Sequence, residues 1–185
     1  MVAHNILGLP IPDEGTVFYV ALTIHIAAAI TCVIAGALAA SARKRAGRHP
    51  RAGRVYLYGL GFVAATAAMM AAIRLREDAP LLAIAVVAFT LGLFGRLARR
   101  RRRPGWPVRH AAGMGGSYIA LLTGFYVDNG PHLPLWDRLP HAMYWVLPAG
   151  IGIPLIWWAL RRFHAGLSTL PRVAASSGAR PAPPS

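Results

Sequence analysis

Seven histidines stand in a chain of 185 residues, and most of them lie in or beside long apolar runs. An imidazole titrates near neutral pH and ligates metals through either ring nitrogen. His25 sits inside "YVALTIHIAAAITCVIAG", residues 19–36. An ionisable group at membrane depth is a functional-site hypothesis by default. At a rise of 1.5 Å per residue, His25 lies about 13 Å inward from the start of its run. The same count brings Thr66, Thr90, Ser117 and Tyr118 close to the midplane of their own runs. These five residues form a candidate midplane site, in which His25 either titrates or is held neutral by a hydroxyl.

A second group gathers at one edge of the runs: His49, Arg54, Tyr56, His110 and Met114. Such a set could bind an anionic head group or pass protons out. At the opposite edge, His132 and His141 stand close to Asp128 and Asp137, a donor set suited to a divalent metal. Haem held by two histidines needs them at equal depth on facing helices. His25 lacks such a partner, because His110 and His141 are offset along the helix axis by about 10 to 15 Å. Ligation by His25 with a Met or Tyr stays open. No P-loop, GxSxG, HExxH or dinucleotide fingerprint is present, and no nucleophile stands beside a base. Enzymatic chemistry is not indicated.

The elements that carry these residues are apolar helices. The hydrophobic fraction is 56% while the net charge is +14, a combination that suits membrane spans joined by basic loops. A span needs about 20 apolar residues. Five runs qualify, at about 17–40, 55–74, 79–97, 110–127 and 140–160. The expected fold is an all-α integral membrane protein, a five-transmembrane-helix bundle over residues 17–162. Residues 1–16 precede it, and a polar, Pro-rich tail at 163–185 is expected to be disordered. The lone Cys32 excludes an internal disulfide.

Charge orients the bundle. "RKRAGRHPRAGR" carries six Lys/Arg, "RLARRRRRPGWPVR" seven, and the segment after the fifth run four, so 17 of 20 basic residues share one side. All six acids fall on the other. The positive-inside rule then places the N-terminus outside and the C-terminus in the cytoplasm. The run of five arginines at 99–103 abuts a span. It is read as contacting anionic lipid head groups rather than nucleic acid.

Two helix faces stand out. His25, Ala28, Ala29, Cys32, Ala35, Gly36 and Ala39 share one face of the first run, and all but the histidine are small. In the fourth run, Ala112, Gly116, Ala120 and Gly124 recur every four residues, a pattern suited to close helix packing or a membrane-protein partner. His110, Met114, Tyr118, Leu122 and Tyr126 form a second stripe of the same helix. Pro148 and Pro154 interrupt the fifth run and predict a kink.

The span with His25 and Gly36, the loop "RHPRAGRVY" and the segment "RHAAGMGGSYIALLTG" together resemble a bacterial membrane-protein family catalogued as domain of unknown function 2306. The resemblance covers roughly residues 20 to 128. It implies a small multi-pass protein of the bacterial cytoplasmic membrane and no established activity. It also implies a shared role for His25, His49, Arg54, Tyr56, His110, Met114 and Tyr118.

Three readings follow. One is a small-molecule or proton-linked membrane protein with its site around His25. Another is a haem- or metal-binding redox protein. The last is a structural or assembly subunit of a membrane complex.

Overall fold

The structure is a computed structural model that describes residues 4–6, 9–11, 15–42, 47–134, 136 and 138–168. Five long helices dominate: α1 (Thr16–Ser41), α2 (Arg48–Ile73), α3 (Leu75–Arg101), α4 (Trp106–Asn129) and α5 (His141–Ser168). A short antiparallel ribbon precedes them, β1 (His4–Ile6) against β2 (Leu9–Ile11), with Asn5 opposite Pro10. A single 3-10 turn, Gly130–His132, follows α4.

Four helices, α1, α2, α3 and α5, are long and apolar enough to cross a membrane. α4 is long but less apolar, since its sequence includes Trp106, His110, Ser117, Tyr118 and several glycines. Its position accounts for this. α4 packs extensively on α3, also on α5, and touches α1, so protein surrounds much of it.

The packing inverts the rule for water-soluble bundles. Bulky apolar side chains point outward: Ile24, Ile30, Ile34, Phe62, Val86 and Val146 are all exposed, Phe62 at 61%. Small ones point inward: Cys32, Ala35, Ala67, Ala71 and Ala88 are buried. A protein in water rarely leaves so much contiguous apolar surface. Helices in lipid gain nothing from hiding leucine and isoleucine from it, so small residues take the contacts and let backbones approach.

The tightest approach joins α3 and α4. A Cβ built on Gly113 would lie 2.7 Å from both Cα and N of Gly95 and 2.9 Å from the Leu91 carbonyl oxygen. A Cβ on Gly95 would meet the Met114 nitrogen at 2.8 Å. The predicted stripe lies beside this contact. A Cβ on Gly116 would be 3.4 Å from Leu91 and one on Gly124 3.4 Å from Ile84, so both face α3 within the chain, while Ala112 is exposed. At other seams, Gly59 faces the Cys32 sulfur and Gly36 lies under the Tyr118 ring. On the α5 side, Gly115 and Gly152 accept Ile156 and Ile119.

Element ends differ from the sequence expectation. α2 begins at Arg48 rather than near 55, which puts His49 inside its first turn. α3 begins at Leu75, with Glu77 and Asp78 in its first turn and Arg99–Arg101 in its last. Both placements complement the helix macrodipole. Arg74 joins α2 to α3 almost without a loop and donates from Nε to Glu77 Oε2 at 2.9 Å. α5 runs through Pro148 and Pro154 as one helix and extends to Ser168, past the expected boundary at 162. The expected tail beyond 168 lies outside the described residues, as does Asp137.

Replacing Gly113 by leucine should push α3 and α4 apart. Overpacking of a tight core costs about 1–3 kcal/mol. A lower unfolding midpoint in detergent, with Gly53→Leu nearly neutral as a control in open space, is the expected result.

Candidate functional site

The bundle has an end bearing Glu77, Asp78 and Asp128 and an end bearing Arg48, Arg99–Arg101 and Arg161. Between them, polar side chains sort into three tiers rather than one midplane layer.

The tier nearer the acidic end holds His25 and Thr66. His25 Nδ1 is 2.9 Å from Thr66 Oγ1, across the α1–α2 seam. Thr66 is buried, and its hydroxyl donates to the Phe62 carbonyl oxygen at 2.7 Å. With the single hydroxyl proton assigned to that bond, the threonine oxygen accepts from His25, so Nδ1 carries the hydrogen. Nε2 is then the nitrogen able to take up a proton. His25 itself is half-buried. Arg74 lies over the Phe18 ring, 5.6 Å from its centre, near the same end.

Asp128, at the last turn of α4, completes the electrostatics of this tier. Desolvation by the surrounding helix ends raises its carboxyl above the ordinary aspartate range, opposed first by His25, then by His132 and Arg74. Asp78, at the start of α3, is also raised by desolvation, opposed by Arg74 and reinforced by Asp128 and Glu77. Imidazole and carboxylates from α1, α3 and α4 thus share one field. Sequence reasoning placed Asp128 only with the histidines of the loops, because proximity between α1 and α4 is a tertiary fact.

The central tier joins Tyr56, Ser117 and Tyr118. Tyr56 Oη and Ser117 Oγ are 2.7 Å apart and fully enclosed, with Ser117 at 0% exposure. Tyr118 donates from Oη to the Val33 carbonyl oxygen at 3.0 Å, tying α4 to α1. Cys32 donates from Sγ to the Tyr56 carbonyl oxygen at 3.4 Å. Tyr56 therefore belongs with Ser117, not with the basic edge, and Ser117 and Tyr118 are separate from His25. Ten residues separate Thr66 from Tyr56 on one helix, about 15 Å. Thr90 is exposed on the outer surface of α3 and joins neither group.

The tier at the basic end holds His49 and His110, with Met114 one turn deeper than His110. Arg54 is exposed nearby on α2. The two imidazoles face each other edge to face, ring centres 6.2 Å apart. At the acidic end, His132 and His141 are both exposed, and the His141 ring rests 5.6 Å from that of Tyr144. Tyr144 is buried, its hydroxyl donates to the Trp136 carbonyl oxygen at 2.7 Å, and Trp136 stacks on Tyr126 at 4.6 Å. Among the described residues, no group of three or more His, Cys, Asp or Glu could hold a metal.

Among the described residues, every buried side-chain nitrogen or oxygen has a hydrogen-bond partner. That is the condition lipid imposes, because no water is available there to satisfy an orphan. No protein-family model, curated protein or solved structure matches the chain.

Two outcomes test this arrangement. A double-mutant cycle of Tyr56→Phe with Ser117→Ala should give a coupling of about 0.6 kcal/mol, the usual size of a hydrogen bond within a membrane bundle. Zero coupling in reversible unfolding would refute the bond. Asp128 supplies a pH dependence. Its folded-state pKa is raised, so its share of stability is present at low pH and is lost as pH rises through the folded value. Asp128→Asn should therefore be at least as stable as wild type at neutral pH and show a flatter pH profile through the acidic range.

Proposed function

We propose that this chain is a multi-pass membrane protein in which His25 is the proton-binding group of a site opening toward the acidic end. The observation that carries the proposal is the 2.9 Å contact of His25 with Thr66, in a seam whose nearest carboxylate influence is Asp128. The hydroxyl fixes the ring and its tautomer. Asp128 acts on that ring through its charge and Asp78 acts on Asp128, so the two carboxylates are the groups proposed to hold a proton in transit. A group of this kind, small-residue neighbours around it and lipid beyond, exchanges protons without needing a large cavity. The cargo is accordingly a proton, alone or coupled to a small solute.

The same proposal includes five spans. α4 runs beside α3 and α5 along their lengths, so it occupies the same depth even though its own composition is less apolar. The excess of Lys and Arg at one end favours that end in the cytoplasm, with the acidic end and His25 facing outward. The bacterial inner membrane and contact of the basic loops with anionic lipid head groups belong to this reading. So does kinship with the family catalogued as domain of unknown function 2306. Three of the positions carrying that resemblance, His25, His49 and His110, are turned by the fold toward neighbouring helices.

The test is proton flux into liposomes loaded with a pH-sensitive dye, driven by an imposed potential. Wild type is expected to carry protons and His25→Ala to carry none while still inserting. Thr66→Val should slow the flux several-fold, and Thr90→Ala should leave it unchanged. Full flux through His25→Gln, or none through wild type, would reduce the pair to a clamp between helices and favour the assembly reading.

A further inference from the structure

Arg74 is the one residue between α2 and α3, and both its main chain and its side chain are held. Its amide donates to the Met70 carbonyl oxygen at 3.0 Å, in the last turn of α2. Its carbonyl oxygen accepts the amides of Glu77 and Asp78, at 3.1 and 2.9 Å, in the first turn of α3. Its Nε donates to Glu77 Oε2 at 2.9 Å, and its guanidinium lies 5.6 Å from the centre of the Phe18 ring on α1. One residue therefore joins the outer ends of three helices.

That position is above the His25 pair. Phe18 stands two turns outward of His25 on the same face of α1, and Arg74 is about 12 Å along the chain from Thr66 at the helical rise. The Phe18–Arg74 contact thus covers the outer end of the seam whose inner contact is His25 with Thr66. Phe18 is buried, as are Ala21 and Ala71, which fall between the two contacts along their helices. Arg74 rests on a packed surface, not on a loop.

The charge so placed is permanent, because an arginine keeps its proton at every accessible pH. Its side chain is 21% exposed, while that of Glu77 is 64% exposed. An ion pair with so exposed a carboxylate is weak, and the covered guanidinium is screened less by salt than a surface charge. The titratable and charged groups around it come from every neighbouring element: His25 from α1, Glu77 and Asp78 from α3, Asp128 from α4, and His132 from the turn after α4. Arg76, Arg138 and His141 are exposed at the same end. Burial raises the carboxyls of Asp128 and Asp78. His25, His132 and Arg74 oppose that rise at Asp128, and Arg74 opposes it at Asp78, where Asp128 and Glu77 add to it. Of the opposing groups, two are histidines whose charge comes and goes near neutral pH. Arg74 is the constant one.

We propose that Arg74 is a positioning residue of the proton path, a permanent charge clamped over the outer end of the α1–α2 seam that readies Asp78 and Asp128 to take and release the protons of the His25 site. This rests on the reading of His25 as the proton-binding group, and it adds what sets the working pH of that site.

The experiment is infrared difference spectroscopy of the purified full-length protein over a pH series. It reads the protonated-carboxyl band of Asp128, assigned by its loss in Asp128→Asn. Arg74 favours the charged carboxylate, so Arg74→Gln should move the midpoint of that band up by about 1 pH unit, the lower end of what a neighbouring arginine does to an aspartate. Arg74→Lys, which keeps the charge, should restore most of the shift. Arg76→Gln, which removes an exposed arginine of the same end, should leave the midpoint in place. In the dye-loaded liposomes, Arg74→Gln should carry the acid limb of the flux profile upward with the band. Each variant is compared only if it elutes as wild type in size exclusion. A midpoint indifferent to Arg74→Gln would overturn the proposal, and so would an equal shift in Arg76→Gln. Flux through wild type with an unmoved band would remove Arg74 from the path and leave His25 in it. No flux through wild type with a shifted band would remove the path itself and leave only the hold of Arg74 on Asp128.

Discussion

The contact of Gly95 with Gly113 sets the geometry on which the rest of the bundle depends. It brings the α3 and α4 backbones together where any side chain would hold them apart. Three consequences follow along the same pair of helices. The Gly95 carbonyl oxygen comes within reach of His110 Nδ1. Ser117, one turn beyond Gly113, is carried into the interior, where Tyr56 meets it. Gly92, nearly one turn from Gly95, leaves room for that serine, since a Cβ there would lie 3.2 Å from its Oγ. Glycine is costly in a helix exposed to water. In lipid the cost is offset by van der Waals contact over the length of two helices, the main attraction available there.

Lipid as a solvent also explains how the polar groups are distributed. A hydroxyl facing outward bonds to its own helix: Thr23 donates to the Tyr19 carbonyl oxygen and Thr31 to that of Ala27, each at 2.8 Å. A hydroxyl facing inward can join two helices, as Tyr118 and Ser117 do. Histidine has two nitrogens and cannot be satisfied by its own helix in this way. Each of His25, His49 and His110 is instead anchored to a neighbouring helix through Nδ1. α5 uses a different anchor, with Arg161 and Arg162 stacked over Trp157 and Trp158 at 3.7 and 3.9 Å from the ring centres. Indole and guanidinium together suit the lipid–water boundary.

Much of the architecture was legible in residue order. Long apolar runs between charged loops announce helices, and a small-residue face on the first run announces which side packs. His25, Cys32 and Ala35 do lie on that side of α1. The helix ends were less legible. "RHPRAGR" looks like a loop by charge, yet α2 starts at Arg48, because arginine is a good helix former and the long side chain can reach water from within a helix. The glycine contact was missed although its signal was present. Gly92 and Gly95 are three apart and Gly113 and Ser117 four apart, a second small-residue register beside the one that was read.

What the sequence by itself determined is the apolar character of the long helices, their number and the segregation of charge to two ends. These depend on composition summed over whole segments, which no neighbour can alter. The tertiary structure decided which polar residues meet. Thr66 and Thr90 have the same chemistry, yet one is buried against His25 and the other faces outward. Tyr56 looked like an edge residue until Ser117 arrived from another helix. In a span that is apolar on every side, periodicity carries little information about which face turns inward. That choice is made by the fit of one helix against the next, and the fit exists only once both are in place.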